Sequence, residues 1–465
     1  MAHTSIITEP GSHLTALERR ATFSLSVIYG VRMLGLFMIL PVFALYAGHL
    51  RHATPFLMGL AIGAYGLTQA LLQVPLGMLS DRVGRKPVII GGLAVFAAGS
   101  VIAAVTGNIY WVIAGRALQG AGAISATIMA LAADLSREAQ RTKIMAALGF
   151  SIGLSFAIAL VVGPILQHWI GVPGIFWATA GLAVLATALI VGAVPTPNTS
   201  RFQRDTEVVA SALGKVLKDR ELLRLDLSIF MLHMVNTANF TVIPSQLRDA
   251  AHLPVQWHWL LYLLVLLSSF VIMLPFLIYA EKRSRMKPVL LGAILLLAVS
   301  EFSLVYSSSL LATMATSVLL LFVAFNLLES ALPSLASKLS SPELRGTSMG
   351  VYSTSQFLGV FTGGALGGML LNMAGPHAVF TGGGVAILLW AALMIGMRNP
   401  GRLSNYLLKV GPIDEQRARA MADQLTQVQG VTEAVVVPED GLAYLKVDRQ
   451  VLDESRLREF SPSTA

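Results

Sequence analysis

Long apolar segments follow one another through the first 397 residues of the chain, with short polar stretches between them. An α-helix needs roughly 17–25 residues to cross the hydrocarbon core of a bilayer, and each segment reaches that length. Lipid cannot satisfy backbone amides, so a segment that crosses it must be helical. The pattern predicts twelve spans, numbered 1–12, at residues 22–47, 55–79, 87–106, 110–135, 142–167, 173–194, 222–247, 257–280, 288–306, 310–337, 345–372 and 377–397.

Composition favours a membrane protein and removes several classes of chemistry. Charged residues make up 12% of the 465 residues and hydrophobic residues 55%, whereas soluble domains carry about 25% charged residues. The sequence contains no cysteine, which excludes disulfides, thiolate metal sites and cysteine nucleophiles. No nucleophile–base or metal-ligand spacing is present either, so we expect a protein that is not an enzyme and has no cofactor.

The basic residues are divided unevenly between the two sides of the predicted membrane. The net charge is +8, but it lies in short loops between apolar segments, so we expect no nucleic acid partner. Nineteen Lys and Arg residues fall on one side, and only Arg51 and Arg248 fall on the other. Cytoplasmic loops carry the excess of Lys and Arg. The sequence therefore predicts a multi-pass protein with both termini in the cytoplasm.

A polar stretch at residues 195–221 divides the spans six and six. It predicts an N-terminal half at 1–194, a cytoplasmic linker at 195–221 and a C-terminal half at 222–397. The loop after span 2 reads DRVGRKPV (81–88), and the loop after span 8 reads EKRSRMKPV (281–289), one residue longer. We interpret the two loops as copies of one repeat, although any short basic cytoplasmic loop can have a similar composition.

After Arg398 the composition becomes that of a soluble domain, at residues 398–465. Strands are predicted at 406–410, 432–437 and 442–447, and helices at 414–429 and 449–460. The βαββα order resembles a ferredoxin-like module that lacks its last strand. Such modules sometimes carry metal through a Cys pair, but this chain has no Cys and no His after His377. We therefore expect a regulatory or assembly role without metal.

The loop after span 2 carries the most specific pattern in the chain. Gly-x-x-x-Asp-Arg-x-Gly-Arg-Lys stands at residues 77–86 and resembles the signature loop of the major facilitator superfamily. The resemblance implies a latch, in which this loop contacts an acid at the end of span 4 and the start of span 11. The latch candidates are Gly77, Asp81, Arg82, Gly84, Arg85, Lys86, Asp134 and Gly346.

Other segments resemble the twelve-helix drug:proton antiporters of that superfamily. The matching residues are Leu34, Gly35, Pro41 and Val42 in span 1, and Arg116, Gln119, Gly120 and Gly122 in span 4. In span 5, Gly153, Gly163 and Pro164 resemble the antiporter motif of the group. That motif usually ends in two more glycines, and Leu166 and Gln167 stand there instead.

Ionisable groups inside the spans need a reason, since a charge near the bilayer centre costs roughly 2.5–3.5 kcal/mol. Glu329 on span 10 loses its charge when protonated and is the leading candidate for a proton site, with Asn326 on the same helix face. A buried ion pair that only fixes packing is the alternative for Glu329. The family resemblance places Arg32 in span 1 and Arg116 in span 4 around the central cavity.

Further polar groups add weaker candidates for binding substrate or protons. His233 and Asn236 on span 7 could bind substrate or titrate near neutral pH, although a histidine in such a place is more often a packing residue. Tyr352 and Gln356 on span 11 could add polar contacts. Glu301 lies on span 9, an outer helix in the family, where we expect a packing role or a neutral carboxyl.

Span 11 also carries a regular series of glycines. Gly359, Gly363 and Gly367 recur every four residues, and small residues at that spacing let two membrane helices approach closely. We expect a packing face here rather than a chemical site, along which span 11 could slide or bend.

Together these patterns predict an all-α membrane protein with a twelve-helix major facilitator fold and a small α+β module. The motif matches and the intramembrane acid Glu329 predict a proton-coupled exporter of the bacterial inner membrane that works by alternating access, with the proton as coupling ion. An apolar cavity with few charges suits amphiphilic small molecules as substrates. A symporter or uniporter of the same fold, or a sensor that uses the module as its output, stays open. We expect a monomer in the lipid bilayer, with self-association through the module as an alternative.

Overall fold

The computed structural model describes residues 14–196, 213–306, 310–340, 344–397, 403–411, 413–438, 441–448 and 451–461. Helices occupy every predicted span, and a short helix, α8 (Leu213–Val216), lies in the predicted linker, most of which is outside the described residues. The spans consist of α1 (Ala16–Phe37) and α2 (Leu40–Ala47), α3 (Pro55–Val83), α4 (Arg85–Val105), α5 (Ile109–Ala121) and α6 (Ser125–Asp134), α7 (Glu138–Gly192, spans 5 and 6), α9 (Arg220–Phe240) and α10 (Ile243–Asp249), α11 (His258–Lys282), α12 (Met286–Tyr306), α13 (Leu311–Leu339), α14 (Arg345–Ala374) and α15 (Pro376–Ile395).

Three spans that the hydropathy pattern predicts as continuous are each divided into two helices. Span 1 breaks after Phe37, shortly before Pro41, and span 7 breaks after Phe240, shortly before Pro244. Proline lacks the backbone N–H that a helix interior uses, so it favours a break just before it. Span 4 breaks near Gly122. Hydropathy does not register such breaks, because the residues on both sides remain apolar.

Spans 5 and 6 are predicted as two helices, and in the structure they follow each other without an intervening loop, within α7. At about 1.5 Å per residue its apolar part, residues 143–192, would measure roughly 75 Å, far more than the bilayer core of about 30 Å. Gly171 interrupts the run with φ 67° and ψ 175°, a conformation that glycine adopts without strain. The chain reverses there, so the eleven apolar helical segments of the described residues make twelve crossings.

The chain direction defines two ends of the helical bundle. The Gly84 end comprises the loop at Gly84 and the end of span 6, and Lys86 Nζ donates to the carbonyl of Val194 at 2.5 Å there. The Arg51 end comprises the opposite loops, where the amide of Arg51 donates to the carbonyl of Gly107 at 2.9 Å. At the Arg51 end, α10 of the C-terminal half packs against α2 of the N-terminal half.

Span 11 joins the two halves through glycines on two faces. A Cβ added at Gly363 would lie 2.1 Å from the carbonyl oxygen of Met234 in span 7, on the face that the sequence predicts. A Cβ added at Gly364 would lie 2.4 Å from the carbonyl oxygen of Gly59 in span 2, on a second face that was not predicted. Span 11 therefore lies in backbone contact with both neighbours, one from each half.

The C-terminal module has the predicted βαββα order. It consists of β1 (Leu403–Lys409), α16 (Glu415–Thr426), β2 (Val431–Val437), β3 (Leu442–Asp448) and α17 (Glu454–Arg458), the last of which is shorter than predicted. The strand order is β1-β3-β2 and both pairings are antiparallel. Leu425, Leu445 and Leu457 are fully buried between the sheet and the helices. Lys446 Nζ lies 3.3 Å from the carbonyl oxygen of Leu339, so the module contacts the last residue of span 10.

Candidate functional site

Three polar side chains from three spans meet where the C-terminal half faces the N-terminal half. Gln356 Nε2 lies 2.9 Å from His233 Nε2 and 3.4 Å from Glu329 Oε1, and His233 Nε2 lies 3.8 Å from Glu329 Oε2. The Glu329 side chain is 36% exposed and the His233 side chain 13%. The structure thus brings together three candidates from spans 7, 10 and 11. The Glu329 side chain is partly exposed, but its Oε2 is buried without a hydrogen-bond partner among the described residues.

Hydrogen bonding fixes the tautomer of His233 at this site. Its Nδ1 lies 3.3 Å from the carbonyl oxygen of Ile229, one turn earlier on the same helix. A carbonyl only accepts, so Nδ1 carries the hydrogen and the Nε2 lone pair accepts from Gln356. Gln356 can then donate one hydrogen to His233 and the other to Glu329. A proton added at Nε2 would displace the Gln356 donor and turn the imidazole toward Glu329 as a donor.

Aromatic rings surround the three polar groups and reach across to the N-terminal half. The ring centroids of Phe325 and His233 are 5.9 Å apart, and those of Phe325 and Phe156 are 5.8 Å apart. Phe37 packs edge-on against Phe156 at 5.2 Å. Phe156 and Phe37 belong to spans 5 and 1, so the site has a mainly aromatic wall from the opposite half.

The remaining candidates of the C-terminal half lie beside this site. Asn326 Nδ2 donates to Ser269 Oγ of span 8 at 2.8 Å, which ties span 10 to span 8. The hydroxyl of Tyr352 and Oδ1 of Asn236 are buried without a hydrogen-bond partner among the described residues. Buried polar atoms of this kind commonly bind ordered water.

Arg32 lies inside the N-terminal half rather than on an open cavity wall. It is only 1% exposed, and its guanidinium donates to Tyr65 Oη and Gln69 Oε1 at 2.9 Å each and to the carbonyl of Gly122 at 3.2 Å. Its Nε is buried without a partner among the described residues. The bond to Gly122 lies at the break in span 4, so Arg32 satisfies a carbonyl that the broken helix leaves free.

Arg116 occupies a similar buried position near the same Tyr65 ring. It is 2% exposed, donates to Gln119 Oε1 at 2.8 Å and to the carbonyl of Ala61 at 3.3 Å, and lies 5.4 Å from the centre of the Tyr65 ring. In the described part of the chain neither arginine has a carboxylate within 4.0 Å. Amide, hydroxyl and ring partners therefore hold both cations.

The Gly84 loop has the local geometry that its sequence predicts. Gly84 has φ 104°, which glycine alone adopts easily. Arg85 pairs with Asp81 one turn earlier, and its Nε lies 3.2 Å from Asp134 Oδ2 at the end of span 4. Arg85 and Asp134 are buried, and Arg82 is exposed. The first contact of the predicted latch is present, and Gly346 is buried in the first turn of span 11; the latch function stays a prediction.

The second copy of this loop repeats two features of the first. Ser284 has φ 51° at the position equivalent to Gly84. Lys287 Nζ donates to the carbonyl of Ile395 at the end of span 12 at 2.8 Å, as Lys86 does to Val194 at the end of span 6. Equivalent lysines thus cap equivalent helix ends, which supports the interpretation of the two loops as a repeat.

Two motif glycines of span 5 have different surroundings. A Cβ added at Gly163 would lie 2.5 Å from the carbonyl oxygen of Met38 and 3.2 Å from Pro41, so span 5 passes the break in span 1 at this glycine, next to Pro164. Gly153 has no atom within 4 Å of an added Cβ. Close packing explains Gly163 and does not explain Gly153.

The contact between Asn239 and Glu301 in the C-terminal half is not predicted from the sequence. Asn239 Nδ2 donates to Glu301 Oε1 at 2.5 Å, although we expect only a packing role or a neutral carboxyl for Glu301. The two residues lie 62 positions apart, on spans 7 and 9. Only the three-residue spacing of His233, Asn236 and Asn239 indicates that this face of span 7 is polar.

Comparison with known proteins agrees with the fold. A family model described as Major Facilitator Superfamily matches residues 25–359 and 225–412. The chain is 44% identical over 446 residues to the inner membrane transport protein YajR of Escherichia coli, covering 96% of this chain and 98% of the relative. It is 27% identical to the multidrug resistance protein MdtH of Edwardsiella ictaluri, covering 72% of this chain and 81% of MdtH.

Solved structures show the same architecture at low sequence identity. A bacterial homolog of the human lysosomal transporter Spinster, in an inward-facing and occupied conformation, matches with a TM-score of 0.67 at 13% identity, over 82% of this chain and 97% of that one. The human organic anion transporter MFSD10 matches with a TM-score of 0.61 at 20% identity, over 82% and 100%. The family match, the identity to YajR and the shared fold lead to one conclusion: this chain belongs to the Major Facilitator Superfamily of membrane transporters.

Proposed function

We propose that this chain is a proton-coupled exporter of amphiphilic small molecules in the bacterial inner membrane, with both termini in the cytoplasm. The observation that carries the proposal is the group formed by Glu329, His233 and Gln356. It offers two protonatable side chains within 3.8 Å of each other, at the boundary between the two halves. The coupling ion is the proton, and the substrate is a small molecule that enters from the cytoplasm or the inner leaflet.

The geometry suggests how a proton and a substrate compete at this site. With His233 neutral, Gln356 bridges His233 and Glu329 and so links spans 7, 10 and 11. A proton on Glu329 removes the carboxylate that a cationic amphiphile would pair with, and a proton on His233 breaks the bridge. Proton and substrate then favour different arrangements of the three spans, which is the differential binding that alternating access requires.

The surroundings favour an amphiphilic substrate. Phe37, Phe156 and Phe325 form an apolar wall, and Glu329 supplies one acidic group. Binding pockets for small molecules combine an apolar lining with a few placed polar groups. The similarity to MdtH, named as a multidrug resistance protein, also favours this substrate class.

The contacts between the halves suggest which side is closed in this structure. α2 and α10 meet at the Arg51 end, whereas Gly149 and Gly153, toward the Gly84 end of span 5, have no atom within 4 Å of an added Cβ. If the positive-inside rule holds, the closed end faces the periplasm. Arg85 and Asp134 would then act in the opposite state, where the Gly84 end closes against span 11.

Transport in proteoliposomes tests the proposal. Ethidium, an amphiphilic cationic dye, and pyranine, a pH-sensitive dye in the lumen, report substrate and proton movement under an imposed pH gradient. We expect the wild type to exchange ethidium against protons and Glu329→Gln to lose the gradient-driven part. Glu281→Gln, which removes an exposed acid on span 8, serves as control. Full proton-driven transport by Glu329→Gln contradicts the assignment, and protons and dye that move in the same direction indicate a symporter.

The contact between the module and span 10 favours a second candidate function. Lys446 lies at the end of the helix that carries Glu329, so the module could act as the output of a sensor. Deletion of residues 402–465 separates the two functions. If the deletion leaves the flux unchanged, the module is accessory to transport. If neither the intact chain nor the deletion variant shows flux, the sensor function is favoured.

A further inference from the structure

Glu301 is a carboxylic acid enclosed within the C-terminal half. It is 0% exposed. Asn239 Nδ2 donates to its Oε1 at 2.5 Å, and its Oε2 is buried without a hydrogen-bond partner among the described residues. A Cβ added at Gly383 in span 12 would lie 2.9 Å from Oε2, so glycine leaves just enough room for the carboxyl. Spans 7, 9 and 12 thus meet at this group.

The charges around Glu301 are too few to stabilise an ionised carboxylate. Span 7 offers the amide of Asn239, and span 12 offers Gly383. On the side of span 10, the hydroxyl of Ser300 donates to the carbonyl of Ser317 and not to Glu301. Within the part of the chain that the structure describes, Glu301 has no Lys, Arg or His within 4.0 Å. A buried charge needs a counterion or several donors, so this arrangement suits the neutral, protonated carboxyl.

The partner of Glu301 stands at the break in span 7. The carbonyl of Asn239 accepts from the amide of Val242 at 3.0 Å, where α9 ends and before α10 begins. α10 is the segment that packs against α2 and closes the Arg51 end. Asn239 therefore connects the buried Glu301 to α10, the helix segment that must move when the Arg51 end opens.

We propose that Glu301 is a second proton-binding site of the transporter and that its proton stabilises the closed Arg51 end. Loss of the proton creates a charge that the closed packing cannot accommodate. Water must then reach the carboxylate, and the contact of span 7 with spans 9 and 12 loosens, which releases α10 from α2. The proposal deepens the proposed proton coupling by adding a site on a different helix from Glu329.

Distance measurements on the full-length chain in lipid nanodiscs test this directly. Because the sequence contains no cysteine, His49→Cys and Asp249→Cys place two spin labels specifically on exposed residues at the ends of α2 and α10. Pulsed electron paramagnetic resonance then gives the distance across the Arg51 end as a function of pH. We expect longer distances to gain population as pH rises in the labelled parent, and Glu301→Gln, which mimics the protonated acid, to keep the short distance at every pH. Glu281→Gln should behave as the parent.

A second measurement does not depend on the conformational change. In infrared difference spectra across the same pH range, the band of protonated carboxyls should lose more intensity in the parent than in Glu301→Gln, because Glu329 can contribute to this band in both proteins. If Glu301→Gln folds poorly, Gly383→Ala provides another test, because a methyl beside Oε2 hinders the approach of water and should move the transition to higher pH.

The outcomes separate this proposal from the proposed function. A distance that does not depend on pH in the parent, or a pH response that persists in Glu301→Gln, overturns the second proton site. Neither readout needs a substrate. Normal proton-driven transport in Glu329→Gln would therefore refute the role of Glu329 while the Glu301 response could still be observed.

Discussion

Gln356 in span 11 and His233 in span 7 are joined by a 2.9 Å contact between two nitrogen atoms. Such a contact is stable only when one nitrogen donates and the other accepts. The carbonyl of Ile229 fixes the imidazole so that Nε2 accepts. The contact therefore requires a neutral His233 and is lost when Nε2 is protonated, so in the proposed coupling Gln356 responds to the charge on the imidazole.

Replacement of Gln356 by leucine should uncouple transport from protons. The variant lacks both amide hydrogens of Gln356, so Nε2 of His233 and Oε1 of Glu329 lose a donor. A buried acceptor without its donor lowers the free energy of unfolding by about 1–3 kcal/mol. We expect Gln356→Leu to fold, to bind substrate, and to lose most of the dependence of transport on the pH gradient. Proteoliposome flux with and without the gradient measures this. Gln424→Leu, at an exposed glutamine of the module, is the control, and an unchanged gradient dependence in Gln356→Leu speaks against the bridge.

The pair of Arg85 and Asp134 should contribute strongly to stability. Both side chains are buried, with 3% and 1% exposure, and removal of one partner from a buried pair costs about 3–5 kcal/mol because the other charge is left uncompensated. Arg85→Ala should lower the unfolding free energy by that order. Asp134→Ala should lower it by less, because Arg85 keeps its ion pair with Asp81, and the double variant should lose less than the sum of the two.

Unfolding in detergent, monitored by circular dichroism, gives the coupling energy of this pair. Arg82→Ala, at an exposed arginine of the same loop, should change the unfolding free energy by no more than about 0.5 kcal/mol. Strict additivity of the two single losses would show that Arg85 and Asp134 do not interact.

A methyl group at Gly59 should hinder closure of the Arg51 end. A Cβ there would lie 2.1 Å from the carbonyl oxygen of Gly364, whereas a Cβ at Gly91 in span 3 has no atom within 4 Å. We expect Gly59→Ala to shift the spin-label distance between positions 49 and 249 toward longer values, and Gly91→Ala to leave it unchanged. Equal distance distributions for the two variants would mean that spans 2 and 11 can repack without cost.

Lys446 should hold the module against span 10. Its ammonium lies 3.3 Å from the carbonyl of Leu339 and 2.9 Å from Glu433 Oε2. Lys446→Ala should raise hydrogen–deuterium exchange in the last turn of span 10, measured by mass spectrometry on the intact chain. Lys338→Ala removes an exposed lysine from the same turn and should have no such effect. Unchanged exchange in Lys446→Ala would show that the turn is stable without the module.

Hydropathy predicts the spans, and the local strand and helix pattern after residue 398 predicts the βαββα module. The contact of Arg85 with Asp134 is predicted only through the resemblance of the Gly84 loop to a family signature. The breaks in spans 1, 4 and 7 were missed, since the residues on either side are apolar. The reversal at Gly171 lies between the predicted spans 5 and 6, and helix begins and ends directly on either side of it.

Side-chain contacts between distant spans are the part that the sequence could not provide. Periodicity indicates that His233 and Gln356 are polar residues of spans 7 and 11, but not that they meet. Arg32 and Arg116 were expected around the cavity, whereas Tyr65, Gln69 and Gln119 enclose them. The enclosure depends on how spans 1, 2 and 4 pack, which no single segment encodes.

The backbone contacts of span 11 also bear on the speed of the transport cycle. Interdigitated side chains must leave their rotamers before two helices can shift past each other, and each such change adds to the activation barrier. Gly363, which faces span 7, and Gly364, which faces span 2, have no side chains that would have to change rotamer. Span 11 can therefore shift against both halves without rotamer changes at these glycines. Larger residues on either glycine face should slow the exchange between conformations, in addition to disfavouring the closed Arg51 end as predicted for Gly59→Ala.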